Sequence, residues 1–240
     1  MRSRVFPDLS SRSRETEWLD RQDIVPDDLA PVLKDLDRFN RTMLGHWPIL
    51  RWLARAARTI PENRPITVVD VGCGSGDLLR AIRRWSRRAG RPATLIGVDL
   101  NPDTIAIARA MTDERDAIAF EAADVFEYRP AASADVIVNS LVAHHLSDDG
   151  IVELLRWMEA TARTGWLISD LQRHWLPHAF IGLAGRLSRL HPMVIHDGRI
   201  SVARALTRAE WRRRIDEALI PRESVTIRWF LYRLLIGRLR

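Results

Sequence analysis

Cysteine is almost missing from this 240-residue chain. Cys73 stands alone, which excludes an internal disulfide framework and any multi-cysteine zinc site. Lysine is nearly absent as well: Lys34 is the one lysine among 37 basic residues, so lysine Schiff-base chemistry is not expected. No apolar run approaches the roughly 18 residues that a membrane span requires. Residues 1–5 are positive, but no apolar stretch follows them, so no secretory signal is expected and a cytoplasmic location is the default. What is present is ordinary for a folded domain. Hydrophobic residues at 46% and charged residues at 28% exclude wholesale disorder, and the length suits one domain with additions.

The charge is lopsided. The net value is +6, and residues 201–240 alone hold ten arginines against Glu210, Asp216, Glu217 and Glu223. Such a tail can touch phosphate or an anionic membrane. Arginine standing in for lysine on solvated helix faces is the simpler reading, and a nucleic-acid partner is not expected.

Periodicity divides the chain. Residues 1–26 are polar and read as a loosely structured arm that docks. Leu29, Val32, Leu33, Leu36, Phe39 and Met43 then recur at three- and four-residue spacing, the stripe of an amphipathic helix that Gly45 ends. Pro48 opens a second helix running to about Arg58. Strands are expected at 66–71, 93–100, 118–123, 135–140 and 165–170, with helices between them, and this alternation predicts a parallel, doubly wound sheet. Residues 174–190 suit a helix lying over the sheet, and 191–198 read as irregular. Thr207 and Glu210 form a capping box for a helix through Leu219. Residues 224–238 give the last one or two strands. The expected division is an arm and helical cap over 1–60 and a catalytic domain over 61–240, with 174–200 as a lid insertion.

The sharpest feature is Val68-Val69-Asp70-Val71-Gly72-Cys73-Gly74-Ser75-Gly76-Asp77, a strand that turns through three alternate glycines into a helix. Glycine is required where the backbone bends tightly and a ligand approaches bare main chain. Asp99 closes the next strand, where a carboxylate accepts ribose hydroxyls. The spacing is G-x-G-x-G rather than the G-x-G-x-x-G of a nicotinamide dinucleotide site. Asp70, two positions before the first glycine, would repel a pyrophosphate and attract an ammonium. The ligand implied carries a ribose and a cationic amino-acid end, which describes S-adenosylmethionine. Cys73 lies inside this loop and reads as a small packing residue rather than a nucleophile.

Over roughly 66–170 the chain resembles the class I S-adenosylmethionine-dependent methyltransferases. The first motif matches 69–76 and the second ends at Asp99. The third resembles Ala122-Ala123-Asp124-Val125-Phe126, and the fourth, 134–140, leads into Leu141-Val142-Ala143-His144-His145-Leu146. The His-His-Leu stretch is similar to ubiquinone- and menaquinone-biosynthesis-like and bacterial small-molecule methyltransferases. The resemblance implies an α/β, Rossmann-like, doubly wound and mostly parallel seven-stranded sheet with an N-terminal helical cap. It implies S-adenosylmethionine as cofactor and S-adenosylhomocysteine as product. Gly72, Gly74 and Gly76 would line the methionine portion, Asp70 would face its ammonium, Asp99 would hold the ribose, Leu100 would pack on the adenine and Asp124 would meet its amine. Val125 and Ser140 complete the expected cofactor-binding set.

A methyl group on a sulfonium is already activated, so the protein aligns donor with acceptor and removes any acceptor proton. His144 and His145 follow the fourth strand, where a base belongs, and histidine titrates near the working pH. Both are candidate catalytic residues, with His145 favoured. Asp170, Arg173 and His174, at the end of the fifth strand, are candidate substrate-binding residues, with His178 beside them. Trp47, Trp52, Trp175 and Phe180 are candidate walls of an apolar lid. The H-E-x-x-H zinc motif is absent, and no metal is expected. The expected activity is methyl transfer to a small organic acceptor, with a phenolic, quinone-like or polyketide hydroxyl first and a ring carbon second. An RNA or protein methyltransferase and a non-catalytic cofactor-binding partner are the alternatives.

Overall fold

The computed structural model describes residues 8–20, 26–130, 133–187 and 190–240. A seven-stranded sheet forms the centre, in spatial order β3-β2-β1-β4-β5-β7-β6. Its strands are β1 (Ile66–Val71), β2 (Ala93–Asp99), β3 (Ile118–Ala122), β4 (Val136–Ser140), β5 (Gly165–Leu171), β6 (Val225–Phe230) and β7 (Arg233–Leu239). The first five pair in parallel, and β7 runs antiparallel between β5 and β6. The order reverses between β1 and β4, so the crevice at their carboxyl ends is where a doubly wound sheet takes its ligand.

Alternation along β1 assigns its residues to two layers. Ile66 and Val68 pack with α2 (Trp47–Ala56), α3 (Asp77–Arg88) and α4 (Pro102–Ala110). Val69 and Val71 point the other way, to α5 (Asp148–Thr161) and α8 (Arg208–Glu217). Burial on both faces is why β1 is a largely apolar run. Asp70 is in phase with Ile66 and Val68, yet it is a carboxylate with 1% exposure, the one charged side chain in the strand.

Local signals start the helices as their sequences require. The Asn101 side chain accepts from the Asp103 amide at 2.9 Å ahead of Pro102, Ser147 Oγ accepts from Gly150 at 3.0 Å, and Thr207 and Glu210 make both halves of a capping box.

A third cluster forms the cap. It joins α1 (Pro26–Thr42), α6 (Trp175–Leu187) and α7 (Pro192–Arg204) through Val32, Phe39, Ile181, Ala184, Val194 and Val202, and seats them on Leu171 and Tyr232. Helix α7 corrects the reading of 191–198 as irregular. His191 caps it through Nδ1 on the Met193 amide at 3.3 Å, Pro192 takes the first position, and Gly198 is there for closeness. A Cβ on Gly198 would lie 2.8 Å from Ile181, and one on Gly185 would lie 2.7 Å from Ile195, so the two glycines let α6 and α7 touch.

The arm also docks, over its described residues. Ser13 donates its amide to the Ala203 carbonyl at 3.0 Å, and Trp18 and Leu19 donate theirs to the two Asp197 carboxylate oxygens at 2.9 and 3.0 Å. Arg12 donates to the carbonyls of His144, Leu146 and Arg204. Among the described residues, no helix is long and apolar enough to cross a membrane.

The arginine excess of the last forty residues is largely spent inside the fold. Arg213, Arg214, Arg222, Arg238 and Arg240 pair with Glu210, Asp148 and Glu217, Asp216 and Glu159. Arg204 meets Glu17, Arg208 donates to the Ile227 carbonyl, and Arg233 is fully buried.

Candidate active site

The turn after β1 is built from left-handed glycines. Gly72, Gly74 and Gly76 have φ of +67°, +53° and +80°, a region that side chains other than glycine enter at a cost. Added Cβ atoms separate their tasks. At Gly72 one would collide with Val142, at Gly76 with Phe120, but at Gly74 it would meet nothing within 4 Å. Two glycines admit neighbouring elements, and the third leaves its main chain bare to open space.

Around this turn stand carboxylates. Asp99 Oδ2 accepts from the Gly74 amide at 3.0 Å and Oδ1 accepts from the Asn101 amide at 3.1 Å, fixing its direction at the end of β2. Asp70 Oδ1 is buried without a hydrogen-bond partner among the described residues. Burial pushes the Asp70 carboxyl well above its ordinary value, and the nearby charges of Asp77 and Asp99 push it further. Such an orphaned acceptor is expensive unless a donor arrives. Burial also raises the Asp99 carboxyl, against the amides that hydrogen-bond it, and drives the Cys73 thiol upward, which leaves it un-ionised and inert. Helix α1 closes over the turn: Asp37 accepts from Ser75 Oγ at 2.5 Å and Arg80 Nη2 at 2.7 Å.

Beyond the turn, β4 ends in a kink. Leu141 is held left-handed at φ +61°, and Val142 behind it covers Gly72. The kink throws His144 and His145 to the edge of a cavity of about 140 Å³. The walls are Leu36 and Phe39 of α1, Leu171, Ile181, Val194 and Tyr232, so the lining is chiefly apolar. The His144 ring is fixed: its Nδ1 lies 2.6 Å from Asp170 Oδ1, and its amide donates to Asp170 Oδ2 at 2.8 Å. Burial works to raise the Asp170 carboxyl, but the His144 imidazole and these hydrogen bonds hold it below the usual range. Glu17 of the arm, 3% exposed, completes the edge with Oε1 at 3.5 Å from His144 Nε2 and Oε2 at 3.8 Å from His145 Nε2.

Comparison with known proteins gives the same region a family. Residues 68–165 match the family model described as a methyltransferase domain. Trans-aconitate 2-methyltransferase of Mycobacterium tuberculosis (strain ATCC 25177 / H37Ra) is 31% identical over 106 residues, 44% of this chain. The chain covers 36% of the length of that curated relative. Residues 68–165 are thus similar to a methyltransferase domain. The fold likeness extends beyond the domain. The structure of the plantazolicin methyltransferase BpumL in complex with SAH superposes with a TM-score of 0.61 at 17% identity, over 90% of this chain and 95% of that one. Human N-acetylserotonin methyltransferase in complex with SAM gives 0.61 at 14% identity, over 89% of this chain and 56% of that one.

Within the matched region, the residues expected at the cofactor cleft fall into two groups. Asp70, Gly72, Gly74, Gly76 and Asp99 converge on one turn. Leu100 projects beside them and is 74% exposed, a surface that an apolar ring would cover. Asp124 is exposed and turns one oxygen to the Phe126 amide at 2.9 Å, while Val125 is half-buried against the core. Ser140 Oγ accepts from Arg233 Nη1 at 3.0 Å.

The residues expected around the acceptor are placed less uniformly. Asp170 is not open to a ligand, because its oxygens are used on His144 and on the Leu171 amide. Arg173 is turned away: it is 4% exposed and donates to Glu210 at 2.6 Å, to the Ala205 carbonyl at 2.8 Å and to the Leu9 carbonyl at 3.1 Å. His174 and His178 stand four residues apart, yet His174 Nδ1 accepts from the Leu176 amide and His178 Nε2 accepts from Arg199 Nε, so they do not converge. Burial, aided by the Arg199 charge, lowers the His178 pKa. Trp47 and Trp52 line a separate groove beside β6 and β7, where Trp47 stacks on Phe230 at 5.2 Å between ring centroids. Trp175 is exposed, whereas Phe180 stacks on Tyr232 and so backs the cavity wall.

Two residues at the cavity escaped sequence reasoning. Glu17 lies in a segment with no periodicity. Tyr232 sits at the β6–β7 turn, 3% exposed, with a hydroxyl that has no hydrogen-bond partner among the described residues.

Proposed function

We propose that this chain transfers a methyl group from S-adenosylmethionine to a small organic acceptor, with the hydroxyl of a flat phenolic, quinone-like or polyketide compound as the leading acceptor and a ring carbon of a similar compound next. The observation that carries this reading is the chiefly apolar cavity bordered by Glu17, His144 and His145, one short kink away from the glycine turn. Its size is on the order of the ~150 Å³ that holds a single benzene ring in an apolar core. A buried carboxylate and aliphatic walls disfavour a polyanionic acceptor.

The cofactor supplies the activated methyl group. Asp70 would take the ammonium, Asp99 the ribose hydroxyls, and Leu100 with Asp124 and Val125 the adenine. Gly72, Gly74 and Gly76 would let the methionine portion lie on bare main chain, with Ser140 at its far side. Arm and α1 would keep water from the reacting atoms. On the acceptor side His145 is the nearer candidate to take a hydroxyl proton, since its side chain is 29% exposed against 3% for His144. Asp170 would hold the His144 ring as a positioning residue. A placed base contributes roughly 10²–10⁴ in rate.

The test follows the label from methyl-labelled S-adenosylmethionine, given to the purified chain with a fractionated extract of its source cells. Label in the solvent-extractable organic fraction is the expected result. Label in RNA or protein would overturn the small-molecule reading.

A further inference from the structure

The cluster at the cavity edge has spacings that do not suit a hydrogen-bonded trio. Direct imidazole–carboxylate bonds close to about 2.7–3.2 Å. Here His144 Nε2 stands 3.5 Å from Glu17 Oε1, and His145 Nε2 stands 3.8 Å from Oε2. One ligand atom from each of the three lies within 4.8 Å of the others. Two ligands held at about 2.0–2.2 Å from a tetrahedral ion lie roughly 3.4 Å apart, so the gap is close to that of a first coordination shell.

A second observation concerns the far side of one ring. His144 Nδ1 is on Asp170 Oδ1 at 2.6 Å, which directs the lone pair of Nε2 toward Glu17. A carboxylate behind the imidazole is the arrangement that orients and strengthens a metal-ligating histidine. The two rings also lie near each other, with centroids 4.3 Å apart.

We propose that Glu17, His144 and His145 bind one divalent transition-metal ion of zinc's size and ligand preference. Two imidazoles and a carboxylate suit such an ion, and three protein ligands leave a coordination position toward the cavity. Among the described residues, Arg204 Nη1 opposes the ion from 3.7 Å off Glu17 Oε1, and it favours ligation through Oε2, the oxygen on the His145 side. Arg12 approaches only main-chain carbonyls here. The site would tie the arm to the sheet. With the ion bound, Nε2 of His145 is a ligand and no longer takes an acceptor proton, so the metal-bound form is a state apart from the base role.

The test is a Co²⁺ titration of the full chain after chelator treatment, read by visible d–d absorption, followed by Zn²⁺ competition. Expected is one equivalent of Co²⁺ per chain, displaced by Zn²⁺. Glu17→Gln and His145→Ala, each checked for unchanged circular dichroism, should abolish the bands. Asp170→Asn should weaken binding by about 10–100-fold without removing it. No bands at any Co²⁺ level, or bands unaltered in folded Glu17→Gln and His145→Ala, would overturn the proposal.

Discussion

The Gly74 amide donates to Asp99 Oδ2 at 3.0 Å, so the residue expected to hold the ribose also shapes the turn expected to hold the methionine portion. Removing Asp99 therefore costs twice. Asp99→Ala should lower affinity for S-adenosylmethionine by at least about 100-fold, since two hydrogen bonds to a charged group are worth roughly 1.5–3 kcal/mol each. Calorimetry with parent and variant measures this, and unchanged affinity would rule out the ribose role.

Asp70 ties both folding and binding to pH. Burial raises its folded pKa, so the stability attached to its proton is present below the unfolded value of 3.8 and is lost as pH rises through the raised value. An ammonium on Oδ1 favours the ionised form, so binding releases a proton and tightens with rising pH. Asp70→Asn should hold or raise the melting temperature of the free protein while weakening cofactor binding by about 10–100-fold. The pH dependence of affinity should flatten in the variant.

Asp37 offers an independent test by pH. Burial first and the Asp77 charge second raise its carboxyl to about 6, against the Ser75 and Arg80 contacts. Its stabilising protonated form is therefore lost between the unfolded value of 3.8 and about 6. Asn mimics the protonated acid. The melting temperature of Asp37→Asn relative to the parent should rise across that window, and scans on both sides of it decide the matter.

Arg173 should prove structural. Its guanidinium is buried against Glu210 and two carbonyls, and breaking a buried pair costs about 3–5 kcal/mol. Arg173→Met should lower urea stability by that order and leave cofactor affinity intact.

Cys73 is buried with its thiol pushed upward, chiefly by burial. Iodoacetamide should leave the folded chain unmodified near neutral pH and label it once after denaturation, as mass spectrometry would read.

Much of the turn after β1 was legible in the sequence because its signals are local. A strand, alternate glycines and a carboxylate one βα unit later are set by near neighbours, and the turn assembles from them. The acceptor half depends on contacts between distant segments. Glu17 reaches His144 from 127 residues away, Tyr232 arrives on the last hairpin, and Arg173 turns from the expected pocket because Glu210 lies 37 residues on. Helix α7 was hidden for a different reason. Its proline, glycine and histidines look like loop chemistry until Pro192 is seen at the first helical position and Gly198 against Ile181. Trp47 carried no signal to separate a cavity wall from a stack on Phe230.

The central claim is that the turn after β1 was built for an amino-acid cation on a ribose and not for a pyrophosphate. The direct measurement is to titrate the purified chain separately with S-adenosylmethionine and with a nicotinamide dinucleotide, by calorimetry at neutral pH. The account predicts saturable one-to-one binding of S-adenosylmethionine, competed by S-adenosylhomocysteine, and no heat from the dinucleotide. Binding of the dinucleotide, or no binding of S-adenosylmethionine, would contradict it.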